Sequence, residues 1–168
     1  VRMDDEGNLL CMVCPALIDK QSQLAGIDDV FNGILVRGNA TGDVVFYGQG
    51  AGKLPTASAV VADVIDVAKH TGTSNSLSWV DDGVNHVVDY KTSDSKYYVR
   101  ISACDNPVVR EIIEKAFDGI VYLKRKDQPD NEVAFIIPEI NEQELLDIEE
   151  KLAEDSIYFV SKVRVLDY

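Results

Sequence analysis

The part of the sequence with the clearest chemical potential is a glycine-rich stretch, FYGQGAGKLPTA, at residues 46–57. It lies between a strand-like segment and a helix-like segment. Glycines let a backbone come close to a ligand, and the free N–H groups of a first helical turn favour an anion such as a pyrophosphate. The spacing is neither GxGxxG nor a P-loop, so it equally fits a tight strand-to-helix turn that binds nothing. Spacing alone leaves both interpretations open.

Three cysteines, Cys11, Cys14 and Cys104, are the next candidates for chemistry. Cys11 and Cys14 have the CxxC spacing of a metal site, but no second CxxC or histidine pair supplies the remaining ligands of a tetrahedral centre. An odd number of cysteines outside a secretory context does not indicate disulfides. We predict buried structural thiols and no metal site.

The sequence offers no pair of residues that reads as a catalytic acid and base. Lys53 directly follows the last of the three glycines at 48, 50 and 52, without a paired base in sequence reach. The acidic run from Glu142 to Glu150 fits the solvated face of a helix. We therefore assign no catalytic residue to this chain.

Composition narrows the class of protein. The 168 residues include 29 acidic and 16 basic side chains, a net charge of −13, which argues against binding to nucleic acid or to an anionic membrane. No apolar run approaches the ~18 residues of a membrane span, and the first residues, VRMDDE, are acidic where a signal peptide is basic. We expect a cytoplasmic globular protein, and the strand-like start at Val1 suggests a piece of a longer polypeptide.

The elements that would hold the glycine stretch are readable from hydrophobic periodicity. Strands are predicted at about residues 8–14, 30–37 and 43–47, with a hairpin turn between the last two. Pro55 fits the first turn of a helix that continues to Lys69. The Ser- and Thr-rich residues that follow predict a linker, with Trp79 as its one large anchor.

From about residue 96 the order βαββαβ is predicted, with Asp105-Asn106-Pro107 starting the first helix. This order is typical of the ferredoxin-like arrangement, an antiparallel four-stranded sheet with two helices on one face. The bare face would be too apolar to remain in water, so we expect a second copy of the chain to cover it. The residues predicted on that face are Tyr98, Cys104, Tyr122, Val160 and Leu166.

A longer pattern surrounds the glycine stretch: FNGILV at residues 31–36, YGQGAG at 47–52 and LPTASAVVAD at 54–63. Residues 8–70 thereby resemble the C-terminal part of the catalytic region of homoserine dehydrogenase. The resemblance implies NAD(P)-dependent interconversion of L-homoserine and L-aspartate 4-semialdehyde, a step of threonine and methionine biosynthesis. It also implies that Gly50, Ala51 and Gly52 contact the cofactor, NADP or NAD. The family's Rossmann domain and catalytic lysine lie N-terminal to the resembling region, so we expect the chain alone to be inactive.

The second half resembles the ACT domain that follows the catalytic region in bacterial members of that family. The resemblance rests on the βαββαβ order and on Asp105-Asn106-Pro107, which matches the start of the ACT effector loop. It implies that Asp105 and Asn106 hold an amino-acid effector, threonine in this family, and that the ACT unit joins copies of the chain into a homodimer or higher oligomer. Val108 stands where the ACT pattern has glycine, which narrows the expected pocket.

The predicted fold class is α+β. Residues 1–70 are the C-terminal segment of a substrate and dimerisation domain, residues 71–95 a linker, and residues 96–168 a ferredoxin-like ACT regulatory domain. One hypothesis makes the chain part of an oxidoreductase whose glycine stretch touches the cofactor. The alternative is a stand-alone ACT-type module for amino-acid binding or dimerisation, without catalysis. The three glycines followed by a Pro-Thr helix start favour the first.

Overall fold

The computed structural model describes residues 1–73 and 80–166 as a mixed α/β protein in two compact units. Residues Asp19–Val84 form the first, here called the hairpin unit. The second, the sheet unit, combines Val1–Ile18 with Asn85–Tyr168. The N-terminal residues therefore fold with the second half of the sequence.

The hairpin unit consists of two antiparallel strands and a long helix. Strand β4 (Phe31–Gly38) pairs with β5 (Gly42–Gln49), which confirms the predicted hairpin. Helix α1 (Lys53–Lys69) begins two residues before Pro55. Because a proline in the first turn removes no helical hydrogen bond, the helix tolerates it there. No residue of α1 is buried, and its valines are largely exposed.

The sheet unit confirms the predicted βαββαβ order. The strands lie in the order β9-β6-β8-β7, and every neighbouring pair among these four is antiparallel, as in a ferredoxin-like sheet. Asn106 and Asn141 cap the two helices by accepting a hydrogen bond from a first-turn N–H. The elements are β6 (Asp94–Ser102), α2 (Pro107–Ala116), β7 (Val121–Leu123), β8 (Glu132–Asn141), α3 (Glu142–Glu154) and β9 (Tyr158–Leu166).

Both helices pack on one face of this sheet. The alternation of β6 and β8 places every second side chain on that face, where Val99, Ile101 and Phe135 are fully buried. Ile113 of α2 and Leu145 of α3 complete the same apolar cluster. Burial of this apolar face is the main force that holds the sheet unit together.

A fifth strand that the sequence did not predict extends the sheet. Strand β3 (Ala16–Ile18) pairs in parallel with β9, so the sheet is mixed and its order is β3-β9-β6-β8-β7. The strand predicted at residues 8–14 is confirmed only at Leu9–Leu10, and its predicted continuation to residue 14 is wrong. This strand, β2, pairs with β1 (Arg2–Met3) in a separate two-stranded ribbon that ends before Cys11.

Two residues predicted on the bare face lie on the helix side instead. Tyr122 is paired with Phe135 across β7 and β8, and the two rings meet edge to face with their centroids 6.2 Å apart. Leu166 lies two residues after Arg164 in β9, so both side chains are on the same face of the strand. Arg164 pairs with the buried Tyr97, which places Leu166 on the helix side. Side chains alternate between the two faces of a strand. In the three-residue strand β7, Val121 and Leu123 lie on the outer face, so Tyr122 between them lies on the helix side and not on the predicted bare face.

The cysteines are not the buried thiols predicted. All three are free; Cys11 and Cys104 are exposed, and Cys14 is partly buried. No group of three His, Cys, Asp or Glu side chains in the described residues could hold a metal ion.

The region predicted as a linker contains a short 3₁₀ turn at Tyr90–Thr92, and β6 already begins at Asp94. Residues 86–88 bond to β2, since Leu9 donates its N–H to the His86 carbonyl at 2.7 Å and accepts from Val88 at 3.0 Å. Trp79 lies outside the described residues. In residues 1–73 and 80–166, no helix has the length and apolar character to cross a membrane.

Candidate functional site

Residues Gly50–Gly52, here called the glycine turn, connect the end of β5 to the start of α1. The antiparallel register places Asn32 of β4 opposite Gly48 and Phe31 opposite Gln49. The ladder therefore stops just before the turn. The three residues predicted to contact a cofactor, Gly50, Ala51 and Gly52, therefore lie at the open end of the hairpin.

Two glycines of this turn differ in what would oppose a side chain at their positions. Gly52 has φ +120° and ψ 153°, a conformation that side chains rarely adopt. The space beside Gly50 is filled by the Asn32 carboxamide, because a β-carbon there would overlap Nδ2 and lie 2.9 Å from Cγ. Gly48, by contrast, has open space beside it. A side chain of the protein, Asn32, therefore lies in the space beside Gly50.

The N-terminus of α1 has the character of an anion site. Gly52 is the N-cap residue, so no side chain caps the helix, and the first turn contains no acidic residue. Pro55 has no N–H, which leaves the backbone N–H groups of Lys53 and Leu54 at the helix start. The helix dipole and the Lys53 ammonium group both favour negative charge here. The donors therefore fit a phosphate-bearing group such as the pyrophosphate of a dinucleotide.

An aromatic pair lies on the hairpin beside the turn, and sequence reasoning did not identify it. The rings of Phe31 and Tyr47 are stacked, with centroids 5.0 Å apart and planes inclined by 8°. Both side chains are exposed, Tyr47 by 59%. The strand register explains the contact. Tyr47 pairs with Gly33, and Phe31 lies two residues before Gly33 on the same face of β4, so the two rings are diagonal neighbours. The stacked pair is therefore accessible to solvent.

The second predicted site lies around the start of α2. Asp105 lines a cavity of about 260 Å³ together with Arg110, Tyr122 and Lys124. Its two carboxylate oxygens accept from Nε and Nη2 of Arg110 at 2.6 and 2.9 Å, and Lys124 Nζ is 3.8 Å away. The guanidinium also lies 4.3 Å above the Tyr122 ring. Hydrogen bonding from Arg110 lowers the pKa of Asp105, and the same bond raises the pKa of Arg110.

The neighbouring Asn106 has a different role from Asp105. Its Oδ1 accepts a hydrogen bond from the Val109 N–H at 3.0 Å, which caps α2, and the residue is not part of the cavity lining. Val108, in the first turn of α2, is 66% exposed. The two residues predicted to hold an effector are therefore adjacent in sequence, but only Asp105 faces the cavity.

Comparison with known proteins gives the matching family. Residues 3–65 match the family model described as homoserine dehydrogenase. The homoserine dehydrogenase of Synechocystis is 52% identical over 64 residues, which are 38% of this chain and 15% of that protein. The Pseudomonas aeruginosa homoserine dehydrogenase is 36% identical over 104 residues, which are 58% of this chain and 24% of that protein.

The residues matched by the family model contain the hairpin, the glycine turn and most of α1. This segment is similar to the homoserine dehydrogenase family. A solved homoserine dehydrogenase from Thiobacillus denitrificans is similar over 92% of this chain and 38% of its own, with 27% identity and a TM-score of 0.72. A Staphylococcus aureus homoserine dehydrogenase structure covers the same share of this chain, with a TM-score of 0.62. Structural similarity to homoserine dehydrogenase thus extends beyond the matched residues.

The chain spans only about a quarter or less of the length of these curated homoserine dehydrogenases. The homoserine dehydrogenase resemblance stated from the sequence is confirmed for the matched residues. Asn32 lies within the FNGILV pattern of that resemblance. That pattern was the available signal for Asn32, but only the cross-strand geometry relates it to the glycine turn.

Proposed function

We propose that this chain is the C-terminal part of a homoserine dehydrogenase, in which the glycine turn and the start of α1 bind the anionic part of NADP or NAD. The whole enzyme would interconvert L-homoserine and L-aspartate 4-semialdehyde. The supporting observation is that the family match falls on a strand-turn-helix whose helix start has no capping side chain and no carboxylate.

In this proposal the cofactor supplies or accepts the hydride. The chain's own residues bind and orient it: the N–H groups of Lys53 and Leu54 donate towards its phosphates, and the Lys53 ammonium group adds attraction. Ala51, exposed at the centre of the turn, determines how closely a ligand can approach. No acid–base residue of this chain is assigned to the chemical step.

We further propose that the sheet unit acts as an ACT-type module that binds an amino-acid effector, joins copies of the chain, or does both. Its ferredoxin-like strand order and the cavity beside Asp105 support this role. Because the unit has its own apolar core, a stand-alone ACT-type module without catalysis is the second candidate function.

The test is a chimera that carries the matching residues of this chain in place of the 64-residue segment of the Synechocystis enzyme. We expect the chimera to oxidise homoserine with NADP or NAD, and the 168-residue chain alone to show no turnover. In the chimera, Ala51→Glu should raise the cofactor KM about tenfold relative to Ala51→Gln, because only the first places a carboxylate beside the phosphates.

Ala51 is a better test position than Gly52, where any side chain would strain a backbone at φ +120°. The two Ala51 variants differ in charge but hardly in size, so equal melting temperatures separate a binding effect from misfolding. Equal cofactor KM values for the two variants, in a folded and active chimera, would contradict cofactor binding at this turn. Turnover by the chain alone would contradict the assignment of the reactive groups to another part of the enzyme.

A further inference from the structure

The contact between Asn32 and Gly50 is the feature of the hairpin unit that the proposed function does not explain. Asn32 lies on β4, and its carboxamide occupies the space beside Gly50, at the first residue of the glycine turn. The ladder between β4 and β5 ends one residue earlier, at Gln49. The Asn32 side chain therefore continues the contact between the two strands past the point where backbone pairing stops.

At Gly50 a side chain would be opposed by the Asn32 carboxamide and not by the backbone conformation. Its φ is outside the left-handed region, in contrast to Gly52. A methyl group at Gly50 would meet the Asn32 carboxamide, whereas a methyl group at Gly48, directly opposite Asn32 in the ladder, would meet nothing within 4 Å. Steric conflict at Gly50 thus depends on one side chain that can be removed.

We propose that Asn32 is a positioning residue for the glycine turn. By filling the space beside Gly50, its carboxamide determines the direction in which the chain leaves β5, and hence where Ala51 and the first N–H groups of α1 are presented. The proposal rests on the proposed function only in the expectation that this placement matters for cofactor binding.

The structural part can be tested in the 168-residue chain with Gly50→Ala, Asn32→Ala and the double variant, using Gly48→Ala as the matched control. Gly50→Ala should lower the melting temperature of the hairpin unit by about 4 °C, since an added methyl group would force the Asn32 carboxamide out of its place. The double variant should recover most of that loss. Gly50→Ala and Asn32→Ala should each move the backbone amide resonances of residues 51–53, which Gly48→Ala should leave in place.

The functional part uses the same variants in the Synechocystis chimera. Asn32→Ala should raise the cofactor KM about tenfold while kcat stays within about twofold, because the turn is misplaced but the reactive groups are not. Gly50→Ala should have a similar effect, and the double variant should bind no worse than Asn32→Ala alone. Gly48→Ala should keep the parental KM.

The outcomes separate the two proposals. If Gly50→Ala behaves like Gly48→Ala, or if the effects of Asn32→Ala and Gly50→Ala simply add, the positioning role of Asn32 is wrong. If the two substitutions are coupled in melting temperature and in the amide resonances but no cofactor KM changes, the positioning role stands and the cofactor-binding function of the turn fails.

Discussion

Asp105 is the residue on which amino-acid regulation by this chain would depend. Its carboxylate is already engaged by both Nε and Nη2 of Arg110, so the ammonium group of an effector must compete with a bidentate partner. Asn106 is engaged in capping α2. We therefore expect threonine to bind the chain more weakly than about 1 mM, an affinity of about 4 kcal/mol.

Calorimetric titration of threonine, isoleucine and methionine into the chain measures this directly. Micromolar threonine binding would show that the Asp105–Arg110 pair opens or serves as the site itself.

The titration is best made near neutral pH. Because the pKa of Asp105 is lowered from 3.8, the carboxylate is ionised there, and the pair's contribution to stability is lost only as the pH falls through that lowered pKa.

At the scale of elements, Glu142 links the first turn of α3 to two strands. Its carboxylate accepts a hydrogen bond from the Tyr97 hydroxyl of β6 at 3.1 Å and forms an ion pair with Arg164 of β9. The Arg164 guanidinium lies 5.4 Å from the Tyr97 ring centroid. Burial raises the pKa of Tyr97 above 10.0.

We predict that Tyr97→Phe costs about 1 kcal/mol of unfolding free energy at neutral pH, the value of one hydrogen bond. Because the folded-state pKa of Tyr97 is raised, the stability that its neutral hydroxyl provides is complete below pH 10.0 and is lost as the pH rises through the raised pKa. Phenylalanine cannot ionise, so the difference between the two proteins should shrink above pH 10.0.

Urea unfolding at neutral and alkaline pH measures both effects. Tyr158→Phe is the control, because the Tyr158 side chain is 56% exposed and should make little difference at either pH. A difference between wild type and Tyr97→Phe that stays constant from neutral to alkaline pH would contradict the role given to burial of the Tyr97 hydroxyl.

At the scale of the whole molecule, the outer face of the sheet is the surface for which we propose a second copy. Val121, Ile136, Tyr98 and Val163 form one row across four strands on the side away from the helices. Val121 is 57% exposed. Residues 96–168 carry a net charge of −6, low enough for two copies to meet across an apolar face.

We predict that the chain sediments as a dimer at tens of micromolar, roughly the range of a weak homodimer. Val121→Glu should shift it to the monomer, because the substitution would bury a carboxylate in the interface. Val108→Glu is the matched control, an exposed valine on helix α2, and should remain dimeric. A monomeric wild-type chain, or dissociation by both substitutions, would contradict this interface.

Features that depend on local pattern were predictable from the amino-acid sequence. Alternating apolar residues in β6 and β8, the helical spacing in α2 and the Asn-Pro start of that helix are repeated signals, and they predicted the βαββαβ order. The FNGILV and YGQGAG patterns likewise predicted the homoserine dehydrogenase family. Each of these signals lies within a few consecutive turns or strands, so it can be recognised without knowledge of any long-range contact.

Features that depend on pairing between distant residues could be seen only in the folded chain. Strand β3 has only three residues, too few to show a period, and its place is set by its parallel pairing with β9. The side on which Tyr122 lies follows from its register with Phe135. The side chain that fills the space beside Gly50 is Asn32 of the opposite strand, and such a contact through space leaves no periodic mark in the sequence.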